Sequence, residues 1–174
     1  MEKTIYLDMD LCVGCGACVV ACMDQNDIFP EMGQVAVRRI HRVEEGHFPS
    51  AGINYVSAAC RHCEDAPCVA GCPTGAISKD RNTGSVVTAR VLCIGCHSCA
   101  MVCPFGVPRY DAEDKLQKCG GCVGRVEAGL QPSCVRVCPT GALKFDVMND
   151  LQSNKEHQYA AAIVSAVHRV AEQR

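Results

Sequence analysis

A tightly spaced run of cysteines constrains this chain more than any other feature of its sequence. The run lies at residues 93–104 and has the spacing C-x-x-C-x-x-C-x-x-x-C-P. In this spacing the first three thiolates bind one [4Fe–4S] cube, and the fourth, which precedes a proline, reaches a second cube. The run therefore predicts two neighbouring iron–sulfur clusters.

Three further groups of four cysteines accompany this run. The four quartets are Cys12, Cys15, Cys18 and Cys22; Cys60, Cys63, Cys68 and Cys72; Cys93, Cys96, Cys99 and Cys103; and Cys119, Cys122, Cys134 and Cys138. Together they use all 16 cysteines of the chain. Since each cube binds four thiolates, the quartets predict four [4Fe–4S] clusters as cofactors.

The fourth cysteine of each quartet predicts how the quartets pair. If it crosses to a neighbouring cube, the two middle quartets form one pair and the two outer quartets form another. The predicted ligand sets are Cys12, Cys15, Cys18 and Cys138; Cys60, Cys63, Cys68 and Cys103; Cys93, Cys96, Cys99 and Cys72; and Cys119, Cys122, Cys134 and Cys22. The first and last thirds of the chain would then close around a central half.

Disulfide bonds and zinc sites also use closely spaced cysteines, and the sequence disfavours both. Residues 1–8 lack the basic start and apolar run of a secretory signal, so we expect a cytoplasmic location, where disulfides are rare. A tetrahedral zinc site needs neither a third cysteine after each Cys-x-x-Cys pair nor a Cys-Pro ending. A structural zinc-binding protein is therefore a remote alternative.

Composition and motifs disfavour several other functions. The formal charge is −2 before any cluster is counted, and clusters add negative charge, so we expect no nucleic-acid partner. No apolar run approaches the roughly 18 residues that a membrane span needs, so we predict no membrane-spanning segment. The chain has no phosphate-binding glycine loop, dinucleotide fingerprint or nucleophile with a recognisable base. We predict an electron carrier that is not itself an enzyme.

Short strands and helices are expected between the cysteines. Alternating and β-branched residues predict strands, and turn residues such as those at 82–84 predict a hairpin. The predicted strands are 4–8, 34–43 and 53–57, the predicted helix is 18–24, and the predicted hairpin is 78–88. After residue 147 the pattern becomes that of an amphipathic helix, with Tyr159, Ile163, Val167 and Val170 along one face.

Basic side chains near the quartets are candidates for offsetting the negative charge of the clusters. Such residues tune cluster potentials when they lie close to the sulfurs, although isolated basic side chains are usually solvated. The candidates are Lys118, Arg109, Arg136 and Lys144.

Residues beyond the spacing make the chain resemble a known family. The fourth quartet begins Cys-Gly-Gly-Cys and continues with Arg125, Gly129 and Pro132, and Cys-Pro-Thr-Gly-Ala occurs at 72–76 and at 138–142. Over residues 4–146 the chain resembles the four-cluster ferredoxin-like electron-transfer (beta) subunits of molybdopterin and tungstopterin oxidoreductases. These include the dimethyl sulfoxide reductase and formate dehydrogenase types.

The resemblance implies a fold and a domain organisation. The implied fold is α+β, a duplicated bacterial dicluster ferredoxin-like fold with an inserted β-hairpin or loop and an appended C-terminal amphipathic helix. Residues 1–24 and 111–147 would form an outer dicluster half, and residues 60–110 a central half. Residues 25–59 would be the insertion, and residues 148–174 the helix. That helix either packs on its own domain or docks onto another subunit or onto a second copy of the chain.

The resemblance also implies partners. A large catalytic subunit would carry a pterin-bound tungsten or molybdenum, and a flavin subunit or a ferredoxin could be the other redox partner. The chain lacks the long insertions of respiratory beta subunits, which makes it more similar to the small subunits of tungsten-dependent aldehyde oxidoreductase complexes. A free-standing polyferredoxin shuttle and the beta subunit of a membrane-bound respiratory reductase stay open as alternatives.

Overall fold

Short strands and helices, joined by cysteine-bearing loops, make up the fold. The structure is a computed structural model, and it describes residues 3–147, 150, 153, 156, 157, 159–161 and 164. The strands are β1 (Lys3–Leu7), β2 (Arg39–Glu45), β3 (Gly52–Ala58), β4 (Ile77–Lys79), β5 (Val86–Thr88), β6 (Arg109–Tyr110), β7 (Leu116–Gln117) and β8 (Leu143–Val147). The helices are α1 (Ala17–Gln25), α2 (Pro67–Ala70), α3 (Ser98–Val102), α4 (Val123–Glu127) and α5 (Ser133–Arg136). This mixture confirms the α+β prediction.

The strands form separate antiparallel pairs instead of one continuous sheet. Strand β1 pairs with β8, β2 with β3, β4 with β5, and β6 with β7. In the first pair Ile5 lies opposite Phe145, so strands from distant parts of the sequence lie side by side. Helices α1 and α5 also contact each other. These contacts bring the first and fourth quartets together.

The first and third quartets fold in the same way. A single 3-10 turn, Met9–Leu11 or Arg90–Leu92, comes before each quartet, and a helix follows that carries its third cysteine. Between the first two cysteines of each quartet the chain passes through a left-handed glycine, with φ 68° at Gly14 and 70° at Gly95. A Cβ on Gly14 would lie 2.3 Å from the ring of Tyr55, so this loop has room only for glycine.

Cysteines form much of the core, which consists of three groups of buried residues. The β8 group contains Cys18, Cys134, Val135 and Leu143. The loop group contains Cys22, Ile28, Val37, Ala59 and Cys119. The β5 group contains Ala76, Ile77, Val86, Cys93, Cys99 and Leu116. Each group holds two buried cysteines, so the thiols lie where an ordinary domain would bury leucine or phenylalanine.

The region between the first two quartets contains a hairpin whose first strand is shorter than the sequence predicts. Strands β2 and β3 pair over seven residues each, with Arg39 opposite Ala58. The prediction of a strand from residue 34 is wrong for residues 34–38. The backbone N–H of Val35 donates instead to the Gln117 side chain at 2.6 Å, and the Gly33 carbonyl accepts from Ala112 at 3.0 Å.

The predicted C-terminal helix over 148–174 lies mostly outside the described residues. The few described positions between 150 and 164 are helical and exposed. Its docking role therefore stays a prediction. Within the part of the chain that the structure describes, no helix has the length and apolar character needed to cross a membrane.

Candidate metal centres

One cavity gathers cysteines from both ends of the sequence. Its wall includes Cys12, Cys15 and Cys18 from the first quartet together with Cys138 from the fourth. The remaining wall is mainly apolar and includes Leu7, Ile40, Ala142 and Leu143. We call this set of four cysteines site I.

A second cavity gathers cysteines from the two middle quartets. Cys93, Cys96 and Cys99 line it together with Cys72. The side chains between them include Ile77, Ile94, His97, Tyr110 and Leu116. We call this set site III. In both cavities four cysteine sulfurs are set among mainly apolar lining residues, and four thiolates are the donor set that an iron–sulfur cube needs.

The thiols of Cys22, Cys119, Cys122 and Cys134 influence one another electrostatically, and we call them site IV. Burial and, to a smaller extent, the neighbouring Cys119, Cys134 and Cys122 raise the pKa of Cys22 to about 12. Burial also raises the pKa of Cys134, with Cys119 and Cys122 again adding to the shift. Thiols with raised pKa values are protonated at neutral pH, so each must release its proton when a metal binds, because the thiolate is the ligand.

The remaining set is Cys60, Cys63, Cys68 and Cys103, which we call site II. Burial raises the pKa of both Cys60 and Cys68, and Cys103 adds to both shifts. The fourth member, Cys63, lines a different cavity together with Arg61 and His62. The thiols of Cys60, Cys68 and Cys103 thus lie close enough to affect one another's pKa values, whereas Cys63 lies beside a surface cavity.

Every cysteine of site III has a polar group within hydrogen-bonding distance of its sulfur. The Tyr110 hydroxyl lies 3.1 Å from the sulfur of Cys99, the Leu116 N–H donates to that of Cys93 at 3.4 Å, Ser98 Oγ lies 3.5 Å from that of Cys96, and Thr74 Oγ1 lies 3.7 Å from that of Cys72. Hydrogen bonding with Ser98 lowers the pKa of Cys96. Donors at the sulfurs stabilise thiolate charge and raise the potential of a cluster bound there.

Sites I and IV have fewer such contacts among the described residues. At site I the hydroxyl oxygens of Ser57 and Thr140 lie 3.3 and 3.7 Å from the sulfurs of Cys18 and Cys138. At site IV the N–H of Gly121 donates to Cys119 at 3.4 Å, and the Asn26 side chain donates to Cys22 at 3.6 Å. The hydrogen-bonding environment therefore differs from site to site.

Tyr110 is held in place by a small polar assembly beside site III. Its ring stacks on His97 with centroids 3.8 Å apart and an interplanar angle of 14°. The Nε2 atom of His97 lies 2.7 Å from a carboxylate oxygen of Asp114. The cysteine spacing gives no signal for Tyr110 or Asp114, because both lie beyond the third quartet and reach it only through the fold.

The four basic residues predicted to offset the charge of the clusters have different surroundings. The charge of Lys118 opposes the effect of burial on the pKa of both Cys60 and Cys68, so this side chain lies close to site II. Lys144 instead lies 3.5 Å from a carboxylate oxygen of Asp8, and Arg136 is exposed. The side chain of Arg109 contacts the Pro108 carbonyl at 3.5 Å.

The cysteine sulfurs of the described residues do not converge on a point where a single metal ion could bind. Among the described residues, no group of three or more histidine, cysteine, aspartate or glutamate side chains is arranged to hold a single metal ion. A cube has no need of such convergence, because each thiolate binds a different corner iron. The geometry is compatible with cubes.

Comparison with protein families indicates the same kind of cofactor. A family model described as a 4Fe-4S dicluster domain matches residues 51–148, more than half of the 174 residues. A second model with the same description matches residues 11–77. The chain belongs to the 4Fe-4S dicluster domain family. Its 16 cysteines in this pattern fit four [4Fe–4S] clusters, as predicted.

Curated relatives of this dicluster protein are chains or subunits of oxidoreductases. The probable anaerobic dimethyl sulfoxide reductase chain YnfG of Escherichia coli (strain K12) is 40% identical over 136 residues, which are 73% of this chain and 64% of the relative. A sulfite dehydrogenase subunit of Allochromatium vinosum is 34% identical over 72% of this chain and 58% of the relative. The arsenate respiratory reductase iron-sulfur subunit ArrB of Shewanella sp. (strain ANA-3) is 38% identical over 64% of this chain and 46% of the relative.

This dicluster protein spans less than two thirds of the length of these curated relatives. Together with the dicluster family models, these relatives confirm the predicted resemblance to the iron–sulfur subunits of oxidoreductases.

The contact between Tyr110 and Cys99 makes a prediction about the dicluster protein. Tyr110→Phe removes the hydroxyl and should lower the reduction potential of the cluster at site III, because the reduced form loses a donor to its thiolate. The expected loss is on the order of 1 kcal/mol, roughly 40 mV for one electron. A redox titration followed by electron paramagnetic resonance (EPR) measures it.

Tyr55→Phe is the control for this experiment, because it removes a hydroxyl from a ring that packs against Gly14 at site I. No hydrogen bond to a cysteine sulfur is seen for that hydroxyl among the described residues. Equal potentials in wild type and Tyr110→Phe would show that the hydroxyl does not act on the cluster.

Proposed function

We propose that the chain is an electron relay between two protein partners. One partner is a catalytic subunit with a pterin-bound tungsten or molybdenum, of the aldehyde or formate oxidoreductase type, and the other is a flavin subunit or a ferredoxin. The relay holds one [4Fe–4S] cluster at each of sites I, II, III and IV, with the four cysteines of each site as ligands. The clusters supply single-electron chemistry, and the chain supplies their order and their surroundings.

The packing of the core carries this proposal, because each buried group joins two sites. The β8 group joins Cys18 of site I to Cys134 of site IV. The loop group contains Cys22 and Cys119 of site IV, and Cys60 of site II packs against it. Site IV therefore lies between site I and site II.

The β5 group extends the series to the last site. It contains Cys93 and Cys99 of site III, and Cys68 of site II packs against it. The sites thus follow one another in the order I, IV, II, III. A row of this kind supports transfer along a chain of carriers, since each site has a packed neighbour on the path.

The two ends of the row hold the most exposed cysteines. Of the 16 cysteines only Cys15 and Cys96 are exposed, and the others are buried or half-buried. Cys15 belongs to site I and Cys96 to site III. An electron donor and an acceptor can therefore approach opposite ends of the same relay.

Exposed apolar side chains surround both ends at matching positions of the repeated quartet. Site I has Leu11, Val13 and Val20, and site III has Leu92, Ile94 and Met101; their exposures range from 42% for Leu11 to 85% for Met101. Apolar side chains clustered on a protein surface are typical of contacts with other proteins. This arrangement supports one partner at each end.

Further features support the finer parts of the proposal. The relatives are named as parts of reductases and a dehydrogenase, which supports a catalytic partner. The choice of tungsten and of an aldehyde or formate substrate rests on the sequence resemblance. None of the 16 cysteines forms a disulfide bond, which supports the cytoplasmic location that is also part of the proposal. Self-association through the C-terminal helix is also part of the proposal, although that helix lies mostly outside the described residues.

A substitution in the second quartet tests the crossed ligand sets. Cys72→Ser should damage the cluster at site III, because Cys72 lines that cavity although it follows the site II cysteines in sequence. The EPR spectrum of the reduced protein should then lose the same signal as in Cys96→Ser. A spectrum that matches Cys60→Ser instead would contradict the assignment.

Purification from the native host under anaerobic conditions tests the proposed partners. A tagged chain should bring with it a large subunit containing a pterin with tungsten or molybdenum, identified by mass spectrometry and metal analysis. A free-standing shuttle would purify alone, and a respiratory beta subunit would also bring a membrane anchor.

The same purification tests the two ends. Val20→Glu at site I and Met101→Glu at site III should each reduce recovery of one partner at least tenfold and spare the other, because a charge would be buried in an apolar contact. Phe48→Glu places the same charge on a 95% exposed side chain in the turn between β2 and β3 and should have no effect. Unchanged recovery in both end variants would contradict docking at these ends.

A further inference from the structure

Arg38 is a buried cation with no acidic partner among the described residues. Only 3% of the Arg38 surface is exposed, and its Nη1 donates to the hydroxyl and the carbonyl of Ser57 at 2.9 and 3.5 Å. Its Nε has no hydrogen-bond partner among the described residues. None of the ion pairs among the described residues includes Arg38.

Such a position is costly unless a negative charge lies nearby. Removing an ion from water costs several kcal/mol even after the protein relaxes around it. Lysine or histidine could reduce that cost by losing a proton, but a guanidinium stays charged in proteins. The chain therefore needs a buried anion close to Arg38.

The neighbours of Arg38 are cysteines of sites I and IV. The Ser57 hydroxyl that accepts from Arg38 also lies 3.3 Å from the sulfur of Cys18 in site I. The residue before Arg38, Val37, packs with Cys22 and Cys119 of site IV in the loop group. Arg38 thus lies beside two successive sites of the row.

We infer that Arg38 is the countercharge of the clusters at sites I and IV and raises the reduction potentials of both. Reduction adds an electron to an anionic cluster, and a fixed cation beside it stabilises the added charge. The hydroxyl of Ser57 extends this effect to the sulfur of Cys18. The inference rests on the ligand sets of the proposed function and not on the identity of any partner.

The position of Arg38 explains why the sequence does not reveal this role. Arg38 and Arg39 are adjacent, and neither lies next to a cysteine quartet. Arg38 is buried just before β2, whereas Arg39 is the exposed first residue of that strand. Arg39 is therefore a matched control, with the same side chain one residue further along the chain.

The test is a redox titration of the full chain with its clusters, followed by EPR. Signals of sites I and IV are assigned from the spectra of Cys12→Ser and Cys119→Ser. At the wild-type midpoint potential of each of these two sites, Arg38→Gln should lower the ratio of reduced to oxidised cluster at least tenfold. For a one-electron couple this ratio corresponds to about 59 mV. Sites II and III should shift less, and Arg39→Gln should leave all four unchanged.

Arg38→Lys separates charge from packing. Lysine keeps the charge but loses the planar guanidinium, so we expect potentials nearer to wild type than those of Arg38→Gln. If Arg38→Gln fails to retain its clusters, retention of iron in Arg38→Lys supports the inference. Loss of iron in both variants would show that the fold needs the guanidinium shape and would overturn the inference.

Full iron content with unchanged potentials in Arg38→Gln would also overturn the inference. Failure of the proposed function has a different signature, because it appears in the wild-type protein as the absence of a pterin-containing partner. The titration needs only the chain and its clusters, so the two failures can be told apart.

Discussion

Burial of thiolates around anionic clusters is the constraint on which the rest of this structure depends. The core holds two cysteines in each of its three buried groups, where a domain of this size would ordinarily bury large aliphatic or aromatic side chains. The chain has four phenylalanines and no tryptophan. Its short strand pairs and short helices would bury little apolar surface by themselves. We therefore attribute much of the stability of the loaded protein to bonds between sulfur and iron, as in other small metal-binding domains.

The same constraint determines the polar contacts of the interior. Burial raises the pKa of the Cys22 thiol to about 12, so an unbound thiol there stays protonated at neutral pH. Once clusters are bound, their negative charge has to be stabilised inside a poorly solvated core. Different groups lie near the different sites: the Tyr110 hydroxyl at site III, Lys118 near site II, and Arg38 beside sites I and IV. Such differences offer a physical route to unequal potentials along one row of similar clusters.

How much of this can be read from the sequence depends on whether the signal is local. The quartets, the glycines within them and helix α1 follow from neighbouring residues, and the predictions of an α+β fold and of [4Fe–4S] clusters are confirmed. The contact between Cys18 and Ser57 joins residues 39 positions apart, and no local pattern indicates it. Arg38 falls within a stretch predicted to be a strand, whereas residues 33–35 bond to the 112–117 region and Arg38 is buried. Tertiary contacts decide the countercharges, so the basic residues chosen by their distance in sequence include Lys118 but miss Arg38.

The central claim is that the fold exists to hold four cubes. Iron and acid-labile sulfide, measured per chain on anaerobically prepared and fully reconstituted protein, test it most directly. The account predicts about sixteen irons and as many sulfides for four [4Fe–4S] clusters, with no cysteine left to react with an alkylating reagent. A colourless protein that binds zinc in stoichiometric amounts, or one that keeps far fewer irons after full reconstitution, would contradict it.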